Sequence, residues 1–255
     1  MMASTIQYPL VPISNSQLRQ IKSSIMGQDY QVKIRLPENY DNVSTLYPVL
    51  YLLDGDHAFA MATDIVQYLI YGGHIPDIII ASPAYDSKLA PPDGGKNMRD
   101  RDFDPFPVLD SDVMPGGLQY LEFLEQELIP FVESNYRAVP TNRTLWGYSS
   151  SGYFALYAMF QKPNLFQRYI VVDGFDAKHF EVEETYASHH TDLPIRFFLS
   201  APPGELGKNE IQFFNILDER NYPNFYSEYV ELNDIGHFAF GAEGLTKGLV
   251  SVFRE

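Results

Sequence analysis

Gly147-Tyr148-Ser149-Ser150-Ser151-Gly152 follows a short apolar stretch, Thr144-Leu145-Trp146, and precedes an amphipathic segment from Tyr153 to Gln161. A strand that passes through a glycine-flanked serine straight into a helix has to turn sharply. That setting lifts the Ser149 hydroxyl above the carboxyl edge of a sheet and makes it a candidate nucleophile. The next backbone N–H, of Ser150, then faces any oxyanion that develops beside Ser149. Strand and helix backbones nearly collide at such a turn, so small residues are needed two before and two after the serine. Gly147 and Ser151 meet that requirement, although Ser151 stands where the motif prefers glycine. Alone the pattern is weak, because a glycine-flanked serine after a strand is otherwise an ordinary turn.

The flanking sequence supplies the context. Tyr30, Val32, Ile34 and Leu36 alternate with polar residues, as in a half-buried antiparallel strand. Near-continuous apolar runs follow at Pro48 to Leu53, Ile78 to Ala81, Tyr169 to Val172 and Ile195 to Leu199, with a last strand at Phe225 to Leu232. Short runs of this kind read as strands buried on both faces of a parallel sheet. Helical patterns lie between them at about 59–71, 118–135, 153–161, 209–220 and 242–253, with Pro130 expected to kink or split the second. The pattern predicts a doubly wound, mostly parallel α/β sheet with helices on both faces, in one domain over 1–255. Residues 83–117, rich in Pro, Asp and Gly and without periodicity, are expected to form a lid or binding loop.

Composition narrows the function classes. Hydrophobic residues make up 45% of the chain, enough for a full core. The formal net charge of −15 repels phosphate backbones and anionic lipid, so neither nucleic acid nor membrane is an expected partner. No apolar run approaches the ~18 residues of a membrane span, and Met1 to Ile13 lacks a leader pattern. With no cysteine there is no disulfide, thiolate nucleophile or Cys-based metal site, and a cytoplasmic location is the expectation. Asp100-x-Asp102-x-Asp104 imitates the start of a calcium loop, but Pro105 and Ser111 replace the glycine and glutamate that loop needs.

A nucleophilic serine needs a base, and the base an orienting acid, in the chain order nucleophile, acid, histidine. Of six histidines, His237 alone follows the last strand just before the terminal helix, where that base belongs. His57, after Asp54-Gly55-Asp56, shapes the site; His74, His179, His189 and His190 read as surface or loop residues. Glu205, leaving the penultimate strand on a Pro/Gly-rich turn, is the first choice of acid, with Asp173, Glu210 and Asp234 as competitors. The Asp56 amide is the expected second oxyanion donor, provided its carboxylate points away. Arg99 and Arg101 either receive an anionic or catecholate part of a substrate or pair with neighbouring aspartates.

Several segments together resemble the putative serine-esterase family of α/β-hydrolases that includes enterochelin (ferric-siderophore) esterases and esterase D, with mycolyltransferases as more distant relatives. The matching pieces are Tyr47 to Asp56, Arg99 to Pro105, Glu127-Leu128-Ile129-Pro130-Phe131, Trp146-Gly147-Tyr148-Ser149, Gly204-Glu205 and Gly236-His237, in the family's order. The resemblance implies an α/β-hydrolase fold and a serine esterase that needs no cofactor or metal. Ser149, His237 and Glu205 would form its triad, and the Asp56 and Ser150 amides its oxyanion hole. Its partner would be a small-molecule ester, with a siderophore-like lactone as one candidate; Tyr148 and His57 would border the substrate. Three departures stand out: Ser151 for the usual glycine, Tyr148 for a common histidine, and Asp173-Gly174-Phe175 in place of a Ser-Pro stretch followed by tryptophans. The alternatives are a thioesterase or acyltransferase with the same triad, or a non-catalytic binding protein on a hydrolase scaffold.

Overall fold

The computed structural model describes residues 10–86, 97–106, 114–233 and 236–254. It begins with a hairpin of β1 (Ser16–Lys22) and β2 (Asp29–Arg35). Tyr30, Val32 and Ile34 of β2 are fully buried, as their alternation predicts. β1 carries no such signal: its sequence, SQLRQIK, stays largely exposed and pairs on one side only. The chain continues through β3 (Tyr47–Leu52), α1 (Gly55–Tyr71), β4 (Ile79–Ala84), a short α2 (Arg99–Asp102) and α3 (Gly117–Phe123). α3 passes through a π turn, Leu124–Leu128, into α4 (Ile129–Asn135). Pro130 has no N–H to give, and the expected interruption takes the form of this widened turn ahead of it.

The second half alternates regularly. β5 (Ala138–Tyr148) leads into α5 (Ser150–Gln161), then β6 (Arg168–Val172), α6 (Lys178–His189), β7 (Arg196–Ala201), α7 (Lys208–Arg220), β8 (Tyr226–Glu231) and α8 (His237–Phe253). The eight strands form one sheet in the order β1-β2-β4-β3-β5-β6-β7-β8. β1, β2 and β4 pair antiparallel, and every pairing from β4 through β3 to β8 is parallel. Successive residues of the buried strands face opposite layers. Leu50, Leu52, Trp146 and Ile170 pack under α1 and α8, whereas Val49, Tyr51, Leu145 and Val171 pack under α3 to α7. This is the α/β-hydrolase arrangement the resemblance implies. Of the long segment expected at 83–117, residues 87–96 and 107–113 lie outside the described residues.

Because β3, β5, β6, β7 and β8 are parallel, their carboxyl ends share one edge of the sheet, where ligands bind in open α/β folds. Ser149, Asp173, Pro202 and Leu232 leave that edge directly after their strands, and Asp54 leaves it one residue beyond β3. The turn after β6 is held down by α6. No apolar stripe marks this helix, because its buried face is made by His179, Glu183 and Tyr186.

His179 belongs to the interior rather than the surface that the sequence suggests; its solvent exposure is 0%. Its Nε2–H donates to the carbonyl of Tyr153 in α5 at 3.0 Å, and its Nδ1 accepts the N–H of Asp176 at 3.1 Å. The imidazole thus staples the turn after β6 to the helix after β5. Burial pushes its pKa down from the ordinary 6.5 to about 4, against the opposing pull of the Tyr153 and Asp176 carbonyls and the Asp176 carboxylate. An imidazole kept neutral in the fold contributes its full stability above pH ~6.5 and loses it as pH falls towards ~4, since only the unfolded chain gains the proton in that window. The loss should reach about 3 kcal/mol. Urea unfolding of the parent and of His179→Gln at pH 7.5, 5.5 and 4.5 should show a shallower acid slope in the variant. Equal slopes would remove His179 as the cause.

Candidate active site

Ser149 is the single residue between β5 and α5, and its backbone is turned to φ 56°, ψ −126°. A side-chain-bearing residue rarely adopts this left-handed conformation, and it persists only where the surroundings impose it. Here the Ser149 N–H donates to the carbonyl of Val172 on β6 at 3.0 Å, and the Ser149 carbonyl accepts from Tyr153 at 2.9 Å. A Cβ on Gly147 would stand 2.1 Å from the backbone oxygen of Ser151, so the position before the turn has to be glycine. Ser150 opens α5, and a first helical N–H has no carbonyl one turn behind it to bond. The amide is therefore suited to an anion.

His237 starts α8 and comes within 2.5 Å of an acid, Nδ1 to Oδ2, but the acid is Asp173. Glu205, the first choice from the sequence, sits in a 3-10 turn, Gly204–Gly207, with its side chain 90% exposed and paired to Lys208 at 3.1 Å. The turn that looked right for an acid points it at solvent. Asp173 instead leaves β6 at φ 47°, with its side chain 14% exposed, and its N–H donates to the carbonyl of Ser200 on β7 at 2.8 Å. Glu210, another candidate, is buried in α7. Burial raises its pKa, and the nearby charge of Asp173 raises it further. Asp234 lies outside the described residues.

The opposite arm of the site is built on the turn after β3. Asp54 is buried at φ 60° and caps α1. The carbonyl of Asp54 takes the N–H groups of both His57 and Ala58 at 2.9 Å. Gly55 and Asp56 precede them and have no helical carbonyl to bond. Lys33 donates to the Gly55 carbonyl at 2.9 Å and to the Asp56 carboxylate at 3.2 Å, and that carboxylate also accepts the Tyr85 N–H at 2.7 Å. The Asp56 side chain thus points away, as an oxyanion donor at this position requires. In a trans peptide the N–H opposes the C=O, so pinning the Gly55 oxygen on Lys33 turns the Asp56 N–H in the opposite direction.

Both arginines are engaged with aspartates. Arg99 holds Asp54 through Nε and Nη2 at 2.5 and 3.0 Å. It still borders the cleft beside Ser149. Arg101 is bound to the fully buried Asp102, whose other oxygen accepts the hydroxyls of Tyr30 and Tyr85 at 2.5 and 2.9 Å. Arg101 lines neither of the clefts at Ser149. Among the described residues no three His, Asp or Glu side chains group to hold a metal ion, and no helix is long and apolar enough to cross a membrane.

Two clefts meet at Ser149. One, of about 350 Å³, carries His237, His57, Met61 and the fully projecting Phe238. The other, of about 570 Å³, carries Ser150, Asp173, Phe103, Tyr153 and Phe175, with Lys178 at its rim. Tyr148 lines the first cleft and donates its hydroxyl to the backbone carbonyl of His237 at 2.5 Å, its ring 5.0 Å from the imidazole. Burial, with the charge of Asp173 adding to it, pushes the Tyr148 phenol up to about 12, so it remains a donor at neutral pH.

Comparison with known proteins identifies the family. The family model described as "Putative esterase" matches residues 23–178, a stretch that includes Ser149 and Asp173 and stops short of Glu205 and His237. The ferri-bacillibactin esterase BesA of Bacillus subtilis is 30% identical over 94% of this chain and 86% of its own length. The siderophore triacetylfusarinine C esterase of Aspergillus fumigatus is 29% identical over 63% of this chain and 56% of its own. Among solved structures, the BES protein from Bacillus cereus superposes with a TM-score of 0.80 at 23% identity, covering 98% of both chains. The siderophore hydrolase EstA from Aspergillus nidulans gives 0.78 at 19% identity over 96% and 97%. A family match over more than half of the chain, joined by a relative at 30% identity along nearly all of it, makes this protein a member of the putative esterase family and an ester-hydrolysing enzyme.

Proposed function

We propose that this enzyme cleaves a carboxylic ester through an acyl-enzyme on Ser149, with His237 as general base and Asp173 as the acid that orients it. The observation that carries the reading is the 2.5 Å contact between Asp173 and Nδ1 of His237, in an imidazole that shares a cleft with the strained Ser149. A carboxylate on Nδ1–H leaves Nε2 as the basic nitrogen, the tautomer a hydroxyl nucleophile needs. Ser149 Oγ attacks the ester carbonyl as Nε2 takes its proton. The tetrahedral oxyanion accepts hydrogen bonds from the Ser150 and Asp56 amides. The imidazolium, stabilised by Asp173, then returns the proton to the leaving alcohol. Water repeats the sequence on the acyl-serine and releases the acid.

The relatives' names support a siderophore-type ester as the substrate class, and two clefts meeting at Ser149 suit an ester with bulk on both sides of the scissile bond. Asp100, Phe103 and Asp104 line the second cleft, which supports a binding role for this part of the 83–117 segment. We place the enzyme in the cytoplasm, acting as one domain. Hydrolysis of an iron-free and an iron-loaded siderophore lactone, measured beside p-nitrophenyl acetate, tests this part. A kcat/KM for both lactones below that of the aryl ester would remove the siderophore assignment and leave the esterase.

Ser149→Ala should lower kcat by ~10³-fold or more with the fold intact, since a single small polar group is lost. It should also abolish labelling by a fluorophosphonate. A Ser149→Ala protein that is still labelled and active would move the nucleophile elsewhere.

The acid is tested by pairing two variants on one ester at one pH. Asp173→Asn should lose on the order of 10²–10⁴ in kcat with KM little changed, because tautomer control and imidazolium stabilisation act in the transition state. Glu205→Gln, at an exposed turn, should stay within about twofold of the parent. If the two results are reversed, the exposed glutamate moves in during turnover and the resting geometry is not the working one.

A further inference from the structure

Ser151 occupies the place where the resembling family usually has glycine, yet it is completely buried and every polar contact of its hydroxyl is directed. Oγ donates to Oδ2 of Asp54 at 2.6 Å and accepts the N–H of Tyr148 at 2.9 Å; the Tyr148 carbonyl also lies at 2.9 Å. One hydroxyl proton serves one acceptor, and the shorter contact to a carboxylate is the stronger. Asp54 is itself clamped by the fork of Arg99. The chain Ser151-Asp54-Arg99 therefore joins two turns that are 97 residues apart in sequence.

Those turns have a property in common. Asp54 at φ 60° caps α1, and Ser149 at φ 56° caps α5. Each leads into a first helical turn that carries an amide assigned above to the oxyanion: Asp56, two residues after Asp54, and Ser150, directly after Ser149. Two donors on separate elements stabilise an oxyanion only if their spacing is fixed in advance, since each has to lie 2.7–3.1 Å from the same atom. Glycine at 151 could not supply that link.

We propose that Ser151 is a positioning residue: by hydrogen bonding to Asp54 it fixes the spacing of the two turns whose amides face the reacting carbonyl. The inference rests on the serine mechanism proposed above. It predicts a loss confined to the transition state, because the ground-state carbonyl oxygen makes weaker demands on the two donors than the oxyanion does.

The test is a double-mutant cycle of Ser151→Ala and Asp54→Asn, with steady-state kinetics on p-nitrophenyl acetate, fluorophosphonate labelling rates and thermal melts. Ser151→Ala should lower kcat by roughly 10- to 100-fold with KM within about twofold, while melting cooperatively. In the Asp54→Asn background the same change should cost less than about threefold, since the link is already weakened. A merely structural role would lower the melting temperature and leave kcat of the folded protein alone; that result overturns the inference. So does a double variant whose losses multiply. Should Ser151→Ala fail to fold, Ser151→Cys keeps a similar shape with a weaker donor. It is expected to be several-fold slower than the parent, and parental kcat in that variant is equally decisive against the proposal. A parent enzyme that neither hydrolyses the ester nor is labelled overturns the serine mechanism and this inference together, whereas an active parent with an unimpaired Ser151→Ala overturns this inference alone.

Discussion

Everything at the site depends on how closely three pieces of backbone approach one another. A Cβ on Gly147 would stand 2.1 Å from the Ser151 oxygen, and one on Gly174 would stand 2.4 Å from the carbonyl carbon of Gly152. At these distances no side chain separates the end of β5, the first turn of α5 and the turn after β6. The approach compels Ser149 to φ 56°, at a cost of about 1–3 kcal/mol, and the bond from its N–H to Val172 helps to hold it there. Gly174 follows Asp173 directly. The Asp173 turn thus rests against the first turn of α5, next to Ser149, through main chain alone, and His179 also ties that turn to α5. Main-chain contact is stiffer than contact through rotatable side chains, which suits a site whose chemistry depends on fractions of an ångström.

A chain with a net charge of −15 could easily build a site too negative for an oxyanion. Local pairing offsets three of the aspartates nearest the proposed oxyanion donors. Asp54 faces Arg99, Asp56 faces Lys33, and Asp102 faces Arg101. Asp173 differs from these three, because its partner is an imidazole. Its charge is matched in full only when that imidazole is protonated, and in the proposed mechanism that happens as the tetrahedral intermediate forms. The pairings also explain Arg99 and Arg101. An arginine beside a run of aspartates finds its counter-ion within the fold, and Asp102, buried under two tyrosine hydroxyls, needs one most.

Much of this was legible in the sequence, for identifiable reasons. The central strands are apolar on both faces, so Pro48 to Leu53 and Tyr169 to Val172 announce themselves. The elbow is marked by a glycine that nothing else can replace, and His237 by its place before the last helix. β1 escaped because an edge strand of polar residues has no period to detect. α6 escaped because the face it buries consists of a histidine, a glutamate and a tyrosine, with Glu183 neutralised by the fork of Arg220 at 2.8 Å. For the same reason His179 read as a surface residue: polarity in sequence says nothing about a partner that comes from another helix. The link from Ser151 to Asp54 left a faint signal, a serine where the motif prefers glycine.

The proposed acid was the hardest residue to place, and the reason lies in the sheet. Chain order requires only that it fall between Ser149 and His237, and the carboxyl ends of β6 and β7 satisfy that equally well. Adjacent strands lie about 4.8 Å apart, less than the length of an extended glutamate, so the pattern alone cannot separate the two addresses. The separation comes from where the imidazole is held. Tyr148, at the end of β5, donates its hydroxyl to the His237 carbonyl, and its ring lies beside Gly241 of α8, where even a Cβ would meet it at an ordinary 3.6 Å. The start of α8 is thereby drawn over β5, and the imidazole comes to rest beside β6. A short aspartate on that strand reaches Nδ1, and the Glu205 turn on β7 is left at the rim. Tyr148 and Asp173, from neighbouring strands, are thus two halves of one arrangement, with the imidazole of His237 held between them.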